Sequence, residues 1–179
     1  MTPWTRSTWT DASQVLAQID QDKVAGEAIG KPLHAWHAKL LGDDDLAGAI
    51  GFMAHAMSRF DCIAWAAQSA ITTQLIERSN PLFVAVLQWL DQPEDDLRRA
   101  AGAAAEGTSA NTPAKLLCLA VQFSGGSLAP EEMAPVLPPP GVCARFVAAS
   151  LVSGAYARQN PDATMREILQ LGEAMVAAA

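Results

Sequence analysis

Apolar residues recur along most of the chain at intervals of three and four positions, which is the spacing of one helix face. Leu46, Ile50, Met53 and Met57 are the clearest example. No run of residues alternates between apolar and polar for long enough to indicate a strand. The pattern therefore predicts an all-α protein with helices at 11–20, 32–41, 44–57, 59–78, 81–91, 93–106, 113–123, 141–158 and 161–177.

Capping residues mark several of the predicted helix starts. A polar side chain can accept a first-turn N–H bond, and a proline directly after it loses no hydrogen bond. Asp91 and Glu94 have the spacing of a capping box, and Asp43–Asp45 place negative charge before the next apolar stripe, where the helix dipole favours it. The polar residue–proline pairs are Asn80-Pro81, Thr112-Pro113 and Asn160-Pro161.

The connections between the predicted helices are mostly short, which favours antiparallel hairpins of consecutive helices. We expect a compact bundle of about seven to nine helices, and a solenoid-like stack of helix pairs is the alternative. The length suits one domain spanning residues 1–179. Residues 1–30 have weaker periodicity and are expected to be partly mobile.

Residues 124–140, the Gly/Pro-rich loop, break the helical pattern. Their sequence, SGGSLAPEEMAPVLPPP, contains two adjacent glycines and five prolines, which exclude a regular helix. Leu128, Met133, Val136 and Leu137 make the loop too apolar for a solvated linker. We therefore expect it to lie packed across the helices.

Composition and charge narrow the class of protein. The chain has 179 residues, a net charge of −7, 50 % hydrophobic residues and 17 % charged residues. This apolar fraction excludes intrinsic disorder for most of the chain. An acidic chain without a Lys/Arg cluster is not expected to bind nucleic acid or an anionic membrane surface. The low charge fraction also predicts that a second copy covers part of the surface, as in a homo-oligomer.

The sequence indicates neither a membrane segment nor a leader. The longest apolar stretches, 46–57, 81–90 and 146–157, are shorter than the about 18 residues that a membrane span needs. Residues 1–10 lack the apolar core of a signal peptide. We expect a cytoplasmic protein.

Few residues have the spacing of a catalytic or metal-binding site. The three cysteines lie far apart among apolar residues, which predicts reduced, buried thiols rather than a zinc site or a disulfide scaffold. A site built from His34, His37 and His55 is the one enzyme hypothesis that the sequence leaves. Because common hydrolase, nucleotide-binding and metalloprotease motifs are absent, we predict no catalytic residue, no metal and no cofactor. The cysteines are Cys62, Cys118 and Cys143.

The short motif Ser124-Gly125-Gly126-Ser127 has two interpretations. Consecutive glycines can turn backbone N–H groups toward an anion, with Arg145 in the following helix as a source of positive charge. Alternatively, the glycines end the helix at 113–123 with a left-handed cap. Only the cap is required by the sequence.

Tryptophans are candidate interface anchors, because exposed aromatic side chains often bind other proteins. Trp65 is expected in the core. Trp4 and Trp9 lie in a polar segment, and Trp89 lies off the apolar stripe of its helix, so each is either an exposed anchor or packed against alanine-lined helices. Trp89 is the candidate binding residue among them.

The chain resembles an uncharacterised bacterial family of small, alanine-rich proteins with an SGGSLAP segment, a proline run and a following Ala-Arg helix. The resemblance covers residues 43–157 and is most specific from SGGSLAP to the proline run, whereas residues 1–30 and the last helix do not match. It implies a domain of unknown function, and some members of the family occur near type VI secretion genes. The matching stretches are Trp89, Gln92–Ala101 (QPEDDLRRAA), Phe123–Pro130 (FSGGSLAP), Pro135-Val136, Pro138–Pro140 and Ala144-Arg145.

Two functional hypotheses follow. The first is a non-enzymatic adaptor or accessory protein that binds another protein, for which the secretion context is a lead. It is motivated by an apolar helical domain that lacks catalytic motifs and carries a proline-rich segment able to brace a binding surface. The alternative is a domain that binds a small ligand or an anion through Ser124, Gly125, Gly126, Ser127 and Arg145.

Overall fold

The computed structural model describes residues 3–7, 9–19, 26–130 and 132–177. Within these ranges the regular elements are nine α-helices and a short 3-10 helix at Gly26–Ala28, without a strand. None of the helices found there is long and apolar enough to cross a bilayer. The all-α prediction is confirmed. The helices are α1 (Ala12–Gln18), α2 (Leu33–Gly42), α3 (Leu46–Ala56), α4 (Arg59–Thr72), α5 (Pro81–Asp91), α6 (Asp95–Glu106), α7 (Pro113–Gln122), α8 (Val142–Tyr156) and α9 (Pro161–Ala177).

The three polar residue–proline pairs start helices as predicted. The side chains of Asn80, Thr112 and Asn160 accept first-turn backbone N–H bonds at 3.0, 3.2 and 3.1 Å, respectively. Asp45, the last residue of the aspartate triplet, caps α3 by accepting from the Gly48 N–H at 2.9 Å. Each bond satisfies a backbone donor that has no partner within its own helix.

Some of the predicted helix ends differ from those in the structure. The helix predicted at 59–78 ends at Thr72, because Gln74 takes a left-handed backbone conformation (φ 55°) that turns the chain. The capping box of Asp91 and Glu94 is wrong: Asp91 still belongs to α5, and Glu94 precedes α6 without a side-chain cap bond. The helix predicted at 11–20 is described as far as Gln18, and residue 20 lies outside the described residues.

Helix α8 lies at the centre of the bundle. It packs against its sequence neighbours α7 and α9 and also against α3 and α4. Its Val147, Leu151 and Ala155 are fully buried in the main core. Most consecutive helices pack on each other, but α3 and α4 make little mutual contact and lie instead against α8 and α9. These contacts between distant parts of the sequence exclude the solenoid-like alternative, in which each unit contacts only its neighbours.

Helix α3 separates two apolar cores. Ile50 and Met53 belong to the main core, whereas Phe52 and Ala56 belong to a smaller core shared with α1 and α2. All four side chains are buried. A helix that is apolar on all sides is stable in water only when other elements cover each side. The preceding helix α2, together with α1, therefore covers one face of α3, and α8 and α9, from the end of the chain, cover the other.

A glycine permits the close approach of α9 to α3 and α4. A methyl group built on Gly172 would overlap Met53 Sδ and lie 2.9 Å from Trp65 Cε2. The Trp65 indole N–H donates to the Ile168 carbonyl at 3.0 Å, which holds the ring in place. The ring therefore has little freedom to move away from an added methyl group.

We expect Gly172→Ala to lower the free energy of unfolding by about 1–3 kcal/mol, because the added methyl group overpacks the core. Gly51→Ala is the matched control: Gly51 is also helical, but a methyl group added there would have no neighbouring atom within 4 Å. That change is expected to stabilise the protein by about 0.4–1 kcal/mol, since alanine restricts the unfolded chain. Urea unfolding of both variants measures the difference, and equal effects would contradict the packing argument.

The N-terminal segment is the part of the chain before α2, and its described residues contact both α2 and α3. Trp4 lies with its ring centroid 5.1 Å from His37 and 6.0 Å from Phe52, and the Trp9 indole N–H donates to the His55 carbonyl at 3.0 Å. Trp4 and Trp9 are thus partly buried rather than fully exposed anchors. The mobility predicted for residues 1–30 stays a prediction, and for residues 1, 2, 8 and 20–25 it lies outside the described residues.

His37 is a fully buried titratable group beneath Trp4. Burial lowers the pKa of His37 to about 4. The imidazole is therefore neutral at pH 7, and its Nδ1, 3.3 Å from Glu173 Oε1, does not form an ion pair there. In the unfolded chain the same group has a pKa near 6.5.

Because the unfolded state takes up the proton first, stability falls as pH drops from about 6.5 to about 4, and below that range His37 contributes no further loss. Over this pH range, His37 lowers the free energy of unfolding by about 3 kcal/mol. We expect His37→Phe to lack this part of the acid destabilisation, whereas His34→Phe on the same helix retains it. Urea unfolding from pH 7 to pH 4 distinguishes them, and identical pH profiles for wild type and His37→Phe would refute the assignment.

Candidate functional site

The Gly/Pro-rich loop is attached to α6 by a buried arginine. Arg98, which is only 4 % exposed, donates from Nη1 to the Gln122 carbonyl and from Nη2 to the Ser127 carbonyl, both at 2.8 Å. Five N–H donors in a planar fork allow one guanidinium group to bind several acceptors at once. Arg98 therefore joins the end of α7 to the beginning of the loop.

Asp95 and Arg99 complete this attachment. Asp95 accepts from Arg99 Nε at 2.7 Å and from Arg98 Nε at 2.8 Å, and these bonds, with that of Arg99 the stronger, lower the pKa of the Asp95 carboxyl group. Arg99 Nη1 in turn donates to the Ala129 carbonyl at 3.2 Å. Negative charge on Asp95 thus offsets the positive charge that the two arginines bring beneath the loop.

Gly126 is required for the approach of the loop to these charged groups. Its φ is +62°, and an added methyl group would lie 2.6 Å from Asp95 Oδ1 and 2.9 Å from Arg98 Nη2. The prediction that the glycines end the helix at 113–123 with a left-handed cap is wrong. The C-cap of α7 is Phe123, whose backbone is not left-handed. The left-handed residue is Gly126, three positions further on, where it makes room for Arg98.

Ser127 connects the two arms of the loop. Its hydroxyl oxygen accepts from the N–H groups of Ala129 and Val136 at 3.1 and 3.2 Å. The Leu128 N–H donates to the Val136 carbonyl at 2.8 Å. These bonds fix the returning arm of the loop against its first residues, so the described part between them is held at both ends.

Three of the four large apolar side chains of the loop are exposed, whereas Leu128 is partly buried. Met133, Val136 and Leu137 are 64 %, 54 % and 73 % exposed. The expectation that the segment lies packed across the helices is therefore wrong for these residues, because the loop is attached mainly through its backbone carbonyls. Ala129 and Pro138 are the described residues of the loop that are buried.

The structure separates the predicted site residues. Ser124, Gly125, Gly126 and Ser127 share one turn, and the Ser124 carbonyl accepts from Arg59 Nη1 at 3.1 Å. Arg145 donates from Nη2 to the Gln18 carbonyl at 3.3 Å. The arginines hydrogen-bonded to the motif's carbonyls are thus Arg59 and Arg98, from other helices.

Trp89 is part of the main core. It is 6 % exposed, and the Phe60 ring lies over it with a centroid distance of 5.8 Å. Trp89 is therefore not the exposed interface anchor that its position off the apolar stripe suggested. Trp65 is fully buried, as predicted.

The sequence did not lead us to predict that Asp95, Arg98 and Arg99 attach the Gly/Pro-rich loop. Their spacing of three and four residues is the signal for contacting side chains on one helix turn. At this helix start the sequence pattern predicts only a capping box of Asp91 and Glu94. Only the folded structure shows that the same turn faces the end of α7.

The three cysteines lie in the main core, whereas His37 and His55 contact different groups. All three thiols are buried and free, as predicted, and burial raises the pKa of Cys62 well above its usual value and those of Cys118 and Cys143 to about 12. His37 faces Trp4, whereas His55 bonds through Nδ1 to the Gly51 carbonyl at 2.8 Å. Among the described residues no group of His, Cys, Asp and Glu side chains has the geometry of a metal site.

We expect Arg98→Met to lower the free energy of unfolding by about 1.5–3 kcal/mol, because it leaves inward-facing carbonyl groups without their donors. It should also accelerate hydrogen exchange of the Leu128 and Val136 amides, which form bonds across the loop. Arg99→Met is the matched control, because Arg99 is more exposed and its loss should cost no more than about 1 kcal/mol. Equal effects of the two changes would contradict the role given to Arg98.

Comparison with known proteins adds a family but no activity. No curated protein and no solved structure matches the chain. The profile of the family of unknown function DUF6931 matches residues 36–176, which include α9 except its last residue as well as the stretches that carry the resemblance. Since this match covers most of the sequence, the chain belongs to the DUF6931 family.

Proposed function

We propose that this protein is a non-enzymatic adaptor or accessory protein that binds another protein through the apolar tip of the Gly/Pro-rich loop. The apolar tip comprises Met133, Val136 and Leu137. The observation that supports this proposal most is that these three side chains are exposed on a loop whose backbone is held by several hydrogen bonds. Exposed apolar groups of this kind are typical of interaction surfaces.

The attachment of the loop favours binding. Ordering a mobile segment costs conformational entropy when it binds, and bonds that already hold the segment reduce that cost. Arg98 and Ser127 hold the two arms, and the prolines that flank the apolar tip restrict the backbone further. The tip is thus presented in a restricted conformation.

The proposed partner has an apolar groove that accepts an extended, proline-flanked segment. Proline-rich segments are commonly bound in this way, because little backbone freedom is left to lose. Methionine adapts its unbranched side chain to irregular apolar surfaces. The family resemblance suggests a component of a bacterial secretion machine as a partner, because some members occur near type VI secretion genes.

The anion-binding alternative at Ser124–Ser127 and Arg145 receives less support. The carbonyl groups of Ser124 and Ser127 accept bonds from Arg59 and Arg98, so both residues use arginine donors to satisfy their own backbone. Arg145 binds the Gln18 carbonyl. Nothing in this geometry favours an anion over the adaptor role.

We expect the double variant Met133→Ser/Leu137→Ser to lose partner capture at least about tenfold while keeping its stability, because both side chains are solvent-exposed in the free protein. Cross-linking and pull-down from the native host compare the proteins retained by wild type and by the variant. Tyr156→Ser is the matched control, because Tyr156 is equally exposed but lies at the end of α8.

A partner that binds wild type and Tyr156→Ser but not the double variant would support the proposal. Equal capture by all three proteins, or capture by none, would refute it. Sedimentation velocity tests whether the partner is a second copy of this chain. Concentration-dependent dimers of wild type that are absent from the double variant would show self-association through the apolar tip instead of binding to another protein.

A further inference from the structure

A cleft of about 230 Å³ lies where the N-terminal segment meets α3, α4 and the beginning of α8. It is distinct from the apolar tip of the Gly/Pro-rich loop. Trp9 and Gln18 line it on one side and Pro140 and Gly141 on another. Its volume is below the about 300–1,000 Å³ of ordinary ligand pockets, so it suits a compact ligand.

Much of the lining is apolar or uncharged. Ala54, Met57 and Ala144 contribute alkyl groups, and Cys62 and Cys143 contribute thiols. Burial raises the pKa of the Cys143 thiol to about 12 and that of Cys62 well above its usual value, so both thiols are protonated at neutral pH. The cleft can therefore cover a small apolar body without placing a thiolate beside it.

Arg59 supplies positive charge to the cleft, and none of the described residues that line it is acidic. The guanidinium group is close enough to Cys143 to oppose, in part, the effect of burial on that thiol's pKa. Arg59 is exposed, and its Nη1 donates to the Ser124 carbonyl at 3.1 Å, which uses one of its five donors. This contrasts with the net charge of −7 of the whole chain.

His55 and Gly141 lie next to each other in the lining of the cleft. The Nδ1 of His55 lies 2.8 Å from the Gly51 carbonyl, and because a carbonyl only accepts, Nδ1 carries the proton. Nε2 therefore faces the other way, toward Gly141, where an added methyl group would lie 3.4 Å from it. Gly141 has φ +75° and is the N-cap residue of α8, so the lining has no side chain at this position.

We propose that this cleft binds a small organic acid, with the carboxylate at Arg59 and a compact apolar body between Trp9 and the two thiols. Arginine matches a carboxylate in charge and in its planar arrangement of donors. The apolar part of the ligand gains from leaving water for a lining of aromatic, methyl and thiol groups. The proposal does not depend on the adaptor function.

Benzoate is the probe, because it combines a carboxylate with a single ring. We expect it to shift the NMR signal of the Trp9 indole N–H, which donates to the His55 carbonyl beside the cleft, in a saturable manner. Trp9→Phe assigns that signal. Benzamide, which is uncharged, should bind at least about tenfold more weakly, and benzamidine, a cation, should not bind.

Matched variants locate the site. Arg59→Gln should weaken benzoate binding at least about tenfold, whereas Arg78→Gln, the same charge change at an exposed residue away from the cleft, should leave it unchanged. Ala144→Leu fills the cleft and should abolish binding, whereas Ala149→Leu, on an exposed position of the same helix, should not. Circular dichroism checks that each variant is folded, and if Arg59→Gln is not, the Ala144→Leu and Ala149→Leu pair decides.

Three results would overturn the proposal. These are no saturable shift with benzoate up to its solubility limit, equal binding of benzoate and benzamide, and benzoate binding that survives Ala144→Leu. The adaptor proposal is unaffected by any of them, because partner capture by the apolar tip is measured separately.

Discussion

The burial of α3 on two sides is the constraint on which the rest of the structure depends. The helix is almost wholly apolar, so its free energy in water is favourable only when both faces are covered. Helices α8 and α9 cover one face, and α1 and α2 cover the other. The two cores that result share one helix, and the cleft beside His55 lies at the end of α3, close to where they meet.

This arrangement extends beyond the part of the chain that matches the family. The matched region begins at residue 36, but the smaller core also contains Ala12, Val15 and Leu16. Without them one face of α3 would lose part of its cover. The N-terminal segment therefore contributes to the fold, and its Trp9 and Gln18 also form part of the cleft.

A second interaction, the Arg98 attachment, explains how a loop rich in glycine and proline is held against the helices while Met133, Val136 and Leu137 face solvent. The guanidinium group binds backbone carbonyls, and such bonds hold a chain in place without requiring that its side chains be buried. The glycines of the SGGS motif serve this internal contact. The apolar tip is exposed to solvent. The proposed binding surface is therefore this tip and not the SGGS motif.

Local signals in the sequence predicted much of the fold. Helix periodicity and the caps at Asn80, Thr112 and Asn160 depend on contacts within a few residues, and the structure confirms them. Predictions that depended on distant contacts were less successful. The sequence leaves Trp89 as a candidate anchor, but Phe60, from another helix, packs against it in the structure. The sequence pairs Arg145 with the SGGS motif, whereas the structure places Arg59 and Arg98 there.

The sequence by itself determined the helical class, the positions of most helices, the buried thiols and the irregular character of residues 124–140. Each of these follows from local backbone preferences or from the polarity of neighbouring residues. Only the tertiary structure decided which helices cover α3, which arginines hold the loop, that its apolar tip is exposed, and that a cleft exists at all. These features depend on contacts between residues far apart in sequence, and hydrophobic periodicity specifies which face of a helix is buried but not which helix covers it.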